Sequence, residues 1–89
     1  MDIRERVKVL VYGYVPRRIE YIEKAMSIAD KHAGCIVSIK RVGTRVLIGI
    51  MVDTYKDNAE NIAKDIVESL KSIGATDIYS DIIPSACLI

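Results

Sequence analysis

Two segments with helical periodicity, forty residues apart, constrain the fold of this chain more than any other feature. Apolar side chains recur every three or four positions in residues 17–33 and again in residues 57–73. A shift of forty residues lays matching positions on one another: Ile22 on Ile62, Lys24 on Lys64, Met26 on Ile66, Lys31 on Lys71, Ala33 on Ile73 and Gly34 on Gly74. The sequence therefore predicts two related halves, each built around one amphipathic helix.

Four other segments have the composition of β-strands. They are rich in β-branched and aromatic residues and comprise residues 7–15, 35–42, 45–53 and 76–83. Only Gly43 and Thr44 separate the second segment from the third, which indicates an antiparallel hairpin. Pro16 is expected near the first turn of the first helix, and Gly34 is expected to end that helix.

The predicted order of elements is β-α-β-β-α-β. Two βαβ halves with right-handed crossovers form a ferredoxin-like α+β sandwich, whose antiparallel sheet has strand order 4-1-3-2 and carries both helices on one face. The 89 residues suffice for a single domain. A chain of this size buries only roughly 60–65% of its unfolded surface, so its core must be efficient or be completed by another subunit. Residues 84–89 form an apolar tail, expected to cover the sheet or to reach a neighbouring molecule.

The charge balance argues against a global electrostatic attraction. Thirteen Lys and Arg offset twelve Asp and Glu to give a net charge of +1, so neither nucleic acid nor an anionic membrane is the expected partner. No apolar run approaches the roughly 18–20 residues that span a bilayer, and the N-terminus lacks the apolar core of a signal peptide. We expect a cytoplasmic protein without membrane contact. The abundance of Ile, Val, Lys and Glu is typical of thermophiles.

The sequence contains no recognisable catalytic or metal-binding constellation. His32 is the only histidine, and no Ser or Cys is visibly paired with it. Cys35 and Cys87 are isolated and lack the spacing of metal ligands, and a reducing compartment keeps both as thiols. We therefore predict no catalytic residue, no metal and no cofactor, and we do not expect an enzyme.

The two central strands are apolar on both faces. If the helices cover one face, the other face should be polar where it meets water. Instead, whichever parity faces the helices, apolar residues remain on the open side, with Leu10, Tyr12, Leu47 and Met51 as the predicted interface residues. Single apolar residues are common on any protein surface, whereas contiguous ones mark an interface. We expect a homo-oligomer that buries this face.

The segment from Gly13 to Arg18 is the predicted corner between the first strand and the first helix. Free N–H groups at a helix start, together with Arg17 or Arg18 as a bidentate clamp, are suited to an anion or carboxylate. This hypothesis gives a ligand site made of Gly13, Tyr14, Arg17 and Arg18. The alternative is structural: the glycine permits a tight turn, Pro16 starts the helix and both arginines are solvated. Neither GxGxxG nor GxxxxGK[ST] is present.

Three cations cluster around the hairpin turn. Lys40, Arg41 and Arg45 are candidates for contacts with nucleic-acid phosphates, which need clustered charge rather than global charge. The alternative, which we favour, is that they keep an edge strand soluble and prevent unwanted pairing.

Residues 53–58 join the third strand to the second helix in this prediction. Two aspartates and an asparagine suggest a cation or hydroxyl ligand. Capping is the better account, because Asp57 with Glu60 three residues later forms a capping-box pattern at the start of the helix.

The order and lengths of the elements, over nearly the whole chain, resemble the small regulatory modules of the ACT type and the ligand-binding half of Lrp-type transcription regulators. Such modules bind amino acids or similar metabolites at subunit interfaces, often with the loop after the first strand. That loop in ACT domains commonly has the sequence Asp-Arg-Pro-Gly. Residues 14–17, Tyr-Val-Pro-Arg, keep the proline but lack the preceding acid and the following glycine.

Three other families share this fold but match the sequence less well. RNA-recognition domains stack bases on aromatics of both central strands, and here Tyr12 and Tyr14 lie on or beside the first strand while residues 45–53 contain no aromatic. Acylphosphatases have a Gly-x-Val-Gln-Gly signature, and heavy-metal carriers have a CxxC in the first loop; both motifs are absent. The resemblance thus implies a small oligomeric ligand-binding or regulatory module that acts through self-association and a small carboxylate or anion. The alternative is a nucleic-acid-binding or protein-interaction subunit of a larger complex.

Overall fold

A computed structural model describes residues 5–85 and contains six elements in the order β-α-β-β-α-β. Their bounds are β1 (Arg6–Pro16), α1 (Ile19–Lys31), β2 (Cys35–Val42), β3 (Arg45–Tyr55), α2 (Lys56–Ser72) and β4 (Thr76–Pro84). The predicted tail falls partly outside the described residues, which end at Ser85, and so does Cys87.

The four strands form one antiparallel sheet. β1 and β3 pair along their whole length, from Arg6 opposite Tyr55 to Pro16 opposite Arg45. β2 adds to the free side of β3 and β4 adds to the free side of β1, giving the order β2-β3-β1-β4, which counted from the β4 edge is 4-1-3-2. The chain is an α+β protein, as the alternation of strand and helix periods predicts.

The core lies between one face of the sheet and the two helices. Alternate residues of the central strands are fully buried there, namely Val9, Val11, Val15, Ile48 and Ile50. On the helix side of this core, α2 contributes Ile66 and Leu70, and both helices place buried alanines against the sheet. Because each fully buried aliphatic side chain stabilises the fold by roughly 1.5–3 kcal/mol, this single layer accounts for much of the driving force.

The start of α1 differs from the prediction of a helix over residues 17–33. Pro16 is still part of β1, opposite Arg45, and Arg18 has an extended backbone (φ −138°, ψ 142°). The helix therefore begins at Ile19, two residues later than predicted. Strand pairing with β3 keeps the chain extended to Pro16, so the proline does not occupy the first helical turn.

The end of α1 also differs from the predicted one, because the helix ends at Lys31 rather than at residue 33, just before Gly34. The left-handed residue is Ala33, with φ +54°. Its N–H donates to the Asp30 carbonyl (3.1 Å) and the Gly34 N–H donates to the Ala29 carbonyl (2.8 Å), which is the Schellman arrangement. Gly34 is required for a different reason: a Cβ there would lie 2.5 Å from the Met51 carbonyl oxygen.

α2 ends with the same motif shifted by one position. Here Gly74 is the left-handed residue (φ +92°), and the Ala75 N–H donates to the Leu70 carbonyl (3.0 Å). The left-handed residues of the two helices, Ala33 and Gly74, are thus 41 residues apart. The forty-residue shift, which aligns Gly34 with Gly74, is therefore wrong by one position at the helix ends, because the structural counterpart of Gly74 is Ala33.

The predicted loop over residues 53–58 does not exist. β3 continues to Tyr55 and α2 begins at the next residue, Lys56, whose N–H donates to the Glu5 carbonyl (2.8 Å). Asp57 is therefore inside the first turn of α2 rather than its cap, and the residue that precedes the helix, Tyr55, makes no side-chain capping bond. A carboxylate in a first turn still complements the helix dipole.

Candidate functional site

The face of the sheet that points away from the helices is apolar at its centre. Because the buried residues of β1 and β3 alternate with the others, the remaining side chains point to the opposite face, which we call the open face. It carries the four predicted interface residues, each half-buried: Leu10, Tyr12, Leu47 and Met51. The structure thus brings these four together, and their role in an interface stays a prediction.

Tyrosines extend this apolar centre towards β4. Tyr12 lies opposite Gly49 on one side and opposite Tyr79 on the other. Its ring covers Gly49, since a Cβ on that glycine would lie 2.5 Å from Tyr12 Cε1. Tyr79 is 59% exposed on this face. The sequence analysis did not single out Tyr79 or Gly49, although the alternation within residues 76–83 places Tyr79 on one face with Asp81.

A cluster of charges borders the open face at the end where β1 begins. Arg6 Nη2 is 3.2 Å from Asp53 Oδ1, and Lys8 Nζ is 3.4 Å from Asp53 Oδ2. Desolvation raises the pKa of the Asp53 carboxyl, but the hydrogen bonds and charges of Arg6 and Lys8 outweigh it, so the pKa lies below its usual value. The Arg6 guanidinium also lies over the Tyr55 ring at 5.1 Å. Sequence reasoning missed this cluster because Asp53 is 45 or more residues away from Arg6 and Lys8.

The predicted ligand site at Gly13, Tyr14, Arg17 and Arg18 is not a single site. Gly13 lies within β1, is buried on the helix side, and has Leu70, Ala75 and Ile78 around it. Tyr14 is the next residue in the strand and points to the open face. Only Arg17 and Arg18 follow the strand, and both are exposed. The four side chains therefore do not converge, and the corner expected at Gly13 begins at Arg17.

The two arginines instead adjoin the hairpin turn. The Arg17 N–H donates to the Thr44 carbonyl (3.3 Å), and Arg45 Nη2 donates to the Tyr14 carbonyl (3.3 Å). Five cations thus gather at one end of the sheet. We call this end the basic pole; its members are Arg17, Arg18, Lys40, Arg41 and Arg45. The two sets of cations that the sequence presented as separate candidates are one surface.

The remaining candidates form no recognisable catalytic arrangement. His32 Nε2 lies 3.4 Å from Asp65 Oδ2 and links α1 to α2, with the histidine side chain 13% exposed and the carboxylate 54% exposed. Cys35 is an exposed thiol at the start of β2, opposite Met51. Among residues 5–85, no three His, Cys, Asp or Glu side chains lie close enough together to hold a metal ion.

A depression of about 1010 Å³ lies beside the start of α2. Its lining is mostly acidic and polar and comprises Glu5, Lys56, Asp57, Ala59, Glu60, Asn61 and Ile82. Lys56 Nζ pairs with Glu5 Oε2 at 3.3 Å across it.

Over the described part of the chain, neither helix is long and apolar enough to cross a membrane.

No protein-family model matches this sequence, and no curated protein is significantly similar to it. Among solved structures, the de novo designed protein Foldit4 is similar, with a TM-score of 0.62 and 13% identity over 88% of this chain and 93% of that one. A second designed protein, Ferredog-Diesel, matches with a TM-score of 0.42 and 12% identity over 91% of this chain and 88% of that one. At 13% identity, the likeness to Foldit4 concerns the α+β fold alone.

Proposed function

We propose that this protein is a small self-associating module of the ferredoxin-like type, in which the open face of the sheet packs against the same face of a second copy. The observation that carries the proposal is the contiguous apolar centre of that face. It contains Leu10, Tyr12, Tyr14, Leu47 and Met51 on the two central strands. By analogy with ACT-type and Lrp-type modules, self-association would serve a regulatory role. A ligand at Gly13, Tyr14, Arg17 and Arg18 is not part of the proposal, because these side chains do not converge.

The distribution of residue types on the open face supports an interface. Leu, Met and Tyr occupy the centre, while charged residues lie towards the periphery, with Lys8 and Asp53 at one end and Lys40 and Arg45 at the other. Interfaces have this anatomy, with charged residues depleted at the centre and aromatic residues and Met enriched there.

The size of the open face also suits a second copy. β1 has eleven residues; at roughly 3.3 Å per residue it is about 36 Å long, and four strands roughly 4.8 Å apart are about 19 Å wide. The face thus spans at most about 700 Å² per chain, close to the roughly 800 Å² per partner of a standard interface.

Charge complementarity favours a particular symmetry. A two-fold axis that runs across the strands above Tyr12 would lay Met51 on Leu47 of the second copy and Leu10 on its Tyr14. The same axis would bring Asp53 to Arg45 of the second copy. The contact is self-complementary and closes at two subunits, as isologous interfaces do.

Light scattering coupled to size exclusion at micromolar concentrations tests the proposal. We expect about twice the chain mass of 9.9 kDa. Leu10→Glu, which buries a charge in the centre of the interface, should give a folded monomer. Met26→Glu is the matched control, because Met26 is a 49% exposed apolar residue on α1, away from the open face, and this variant should stay dimeric. A monomeric wild type, or a dimer that Leu10→Glu leaves intact, contradicts the proposal.

A charge exchange tests the symmetry separately. Arg45→Asp or Asp53→Arg alone should weaken the dimer by like-charge repulsion, and the double variant should recover part of the loss. If the loss of dimerisation free energy in the double variant equals the sum of the losses in the two single variants, the two copies pack their open faces about a different axis.

A further inference from the structure

The basic pole concentrates positive charge that the rest of the chain does not share. Residues 16–20 and 39–45 together hold five Lys or Arg and one acid, Glu20, which gives +4. Since the whole chain carries +1, all other residues together carry −3. The charge of this nearly neutral protein is therefore distributed unevenly, and a net charge near zero does not reveal the positive surface at the basic pole, which is suited to an anion.

The fold leaves these cations largely unneutralised. Within residues 5–85, Arg17, Lys40 and Arg41 have no acid within ion-pair distance, and Arg18 has only Glu20, at 3.7 Å between two exposed side chains. An exposed pair of this kind contributes little to stability. Arg18 also precedes the first turn of α1, where positive charge opposes the helix dipole by a few tenths of a kcal/mol. Folding therefore gains little from these cations, and their charge remains available to an external anion.

Protection of an edge strand does not explain the whole set. Lys40 and Arg41 lie on the edge strand β2, where charges prevent unwanted pairing. Arg17 and Arg18, however, follow the central strand β1 and reach the hairpin only through the Arg17 bond to Thr44. Their presence beside the turn adds charge without protecting any edge.

The arrangement fits a chain of phosphates better than one small anion or a flat surface. Lys40 is on the open face and Arg41 on the helix side, because their β3 partners, Leu47 and Val46, face opposite ways. Cations that point to opposite faces of the sheet do not surround one ion, and a planar membrane would meet only one of the two sets. A flexible polyanion can follow them.

The residue types favour phosphate. Four of the five cations are arginines, and they are four of only six arginines in the chain, whose other cations are mostly lysines. Arginine binds phosphate oxygens with two parallel hydrogen bonds, whereas lysine acts as a point charge. We propose that the basic pole binds the phosphodiester backbone of a nucleic acid, without selecting its sequence.

Fluorescence anisotropy with a labelled single-stranded RNA of mixed sequence tests this inference. If the four cations other than Arg45 contact phosphates, the slope of log K against log salt should be about −2.8, and each double variant, Arg17→Ala with Arg18→Ala or Lys40→Ala with Arg41→Ala, should reduce its magnitude by about 1.4. Arg45 is left unchanged, so that the proposed dimer contact is not disturbed.

The matched control is Lys24→Ala with Lys64→Ala, which removes the same charge from exposed helix positions away from the pole. The affinity of this control for RNA should stay close to that of the wild type, apart from a small loss due to the lower net charge. Binding that is absent at low salt, or lost equally in the control and the pole variants, overturns the inference. So does binding of phosphatidylserine vesicles in preference to RNA. The mass by light scattering should not change in the variant Arg17→Ala with Arg18→Ala, because both residues follow β1 and lie outside the open face, so the result with this variant is independent of the self-association test.

Discussion

The junction between α1 and β2 allows a stringent test of the structure, because two adjacent small residues should respond in opposite ways. Ala33 has φ +54°, a left-handed conformation in which its Cβ is strained. Gly34 has no such requirement, but its Cα passes so close to β3 that a Cβ would lie 2.5 Å from the Met51 oxygen and 2.7 Å from Val52 Cγ2. The expected results are stabilisation by Ala33→Gly and destabilisation by Gly34→Ala.

The magnitudes follow from these geometries. Relief of left-handed strain at Ala33 is worth roughly 1–2 kcal/mol, and the greater freedom of glycine in the unfolded chain takes back about 0.4–1 kcal/mol. We expect a net gain of about 0.5–1 kcal/mol. At Gly34 the closest atom belongs to the backbone, which cannot rotate away, so relief requires displacement of a strand and costs about 1–3 kcal/mol.

Thermal unfolding followed by circular dichroism separates the two outcomes. All variants are compared at one protein concentration, because association shifts the unfolding midpoint. For a domain of this size, 1 kcal/mol corresponds to roughly 4–8 °C. Ala33→Gly should raise the midpoint by a few degrees, and Gly34→Ala should lower it by about 4 °C or more. A lower midpoint for Ala33→Gly would refute the left-handed assignment, and an unchanged midpoint for Gly34→Ala would refute the close approach to β3.

Four further predictions follow from the described contacts. Gly13→Ala should stabilise the protein by about 0.5–1 kcal/mol in urea unfolding, because the new methyl group would meet its neighbours at 3.4–3.7 Å; a loss would indicate a turn glycine. Ile66→Ala should cost about 2–5 kcal/mol in the same assay, since Ile66 is fully buried. Gly49→Ala should displace the Tyr12 ring, which is 2.5 Å from the added Cβ, and weaken self-association in light scattering. Arg6 and Lys8 hold the folded pKa of Asp53 below the ordinary value of an aspartate. The wild type should therefore be more stable than Asp53→Asn above about pH 4, and the difference should disappear as the pH falls through the folded pKa; a difference that persists at the lowest pH would contradict the ion pairs.

Much of the architecture is local information and is readable from the sequence. The β-branched and aromatic residues of segment 7–15 predict a strand, and period 3.6 predicts both helices. The apolar open face follows from the same rule, because one face of a two-layer sandwich has no helices over it. These features depend on residues that are near one another in sequence.

The positions that sequence reasoning misplaced depend on partners far along the chain. Glycine is a residue type that favours turns, yet β3 pairs with the segment around Gly13 as far as Pro16, and β4 pairs with its other side as far as Tyr14, so the segment stays extended. Pairing energy from neighbouring strands overrides the local preference of glycine and proline. The need for Gly34 likewise arises from β3, which no local pattern reveals.

The sequence by itself determined which residues are apolar, which are cationic and which of them share one face of the same element. Only the tertiary structure decided that Arg17 and Arg18 share one surface with Lys40 and Arg41, and that Gly13 belongs to the core rather than to a ligand site. The physical reason is that side-chain periodicity is a property of a single segment. The convergence of charges, by contrast, is set by long-range strand pairing, which joins residues more than twenty positions apart.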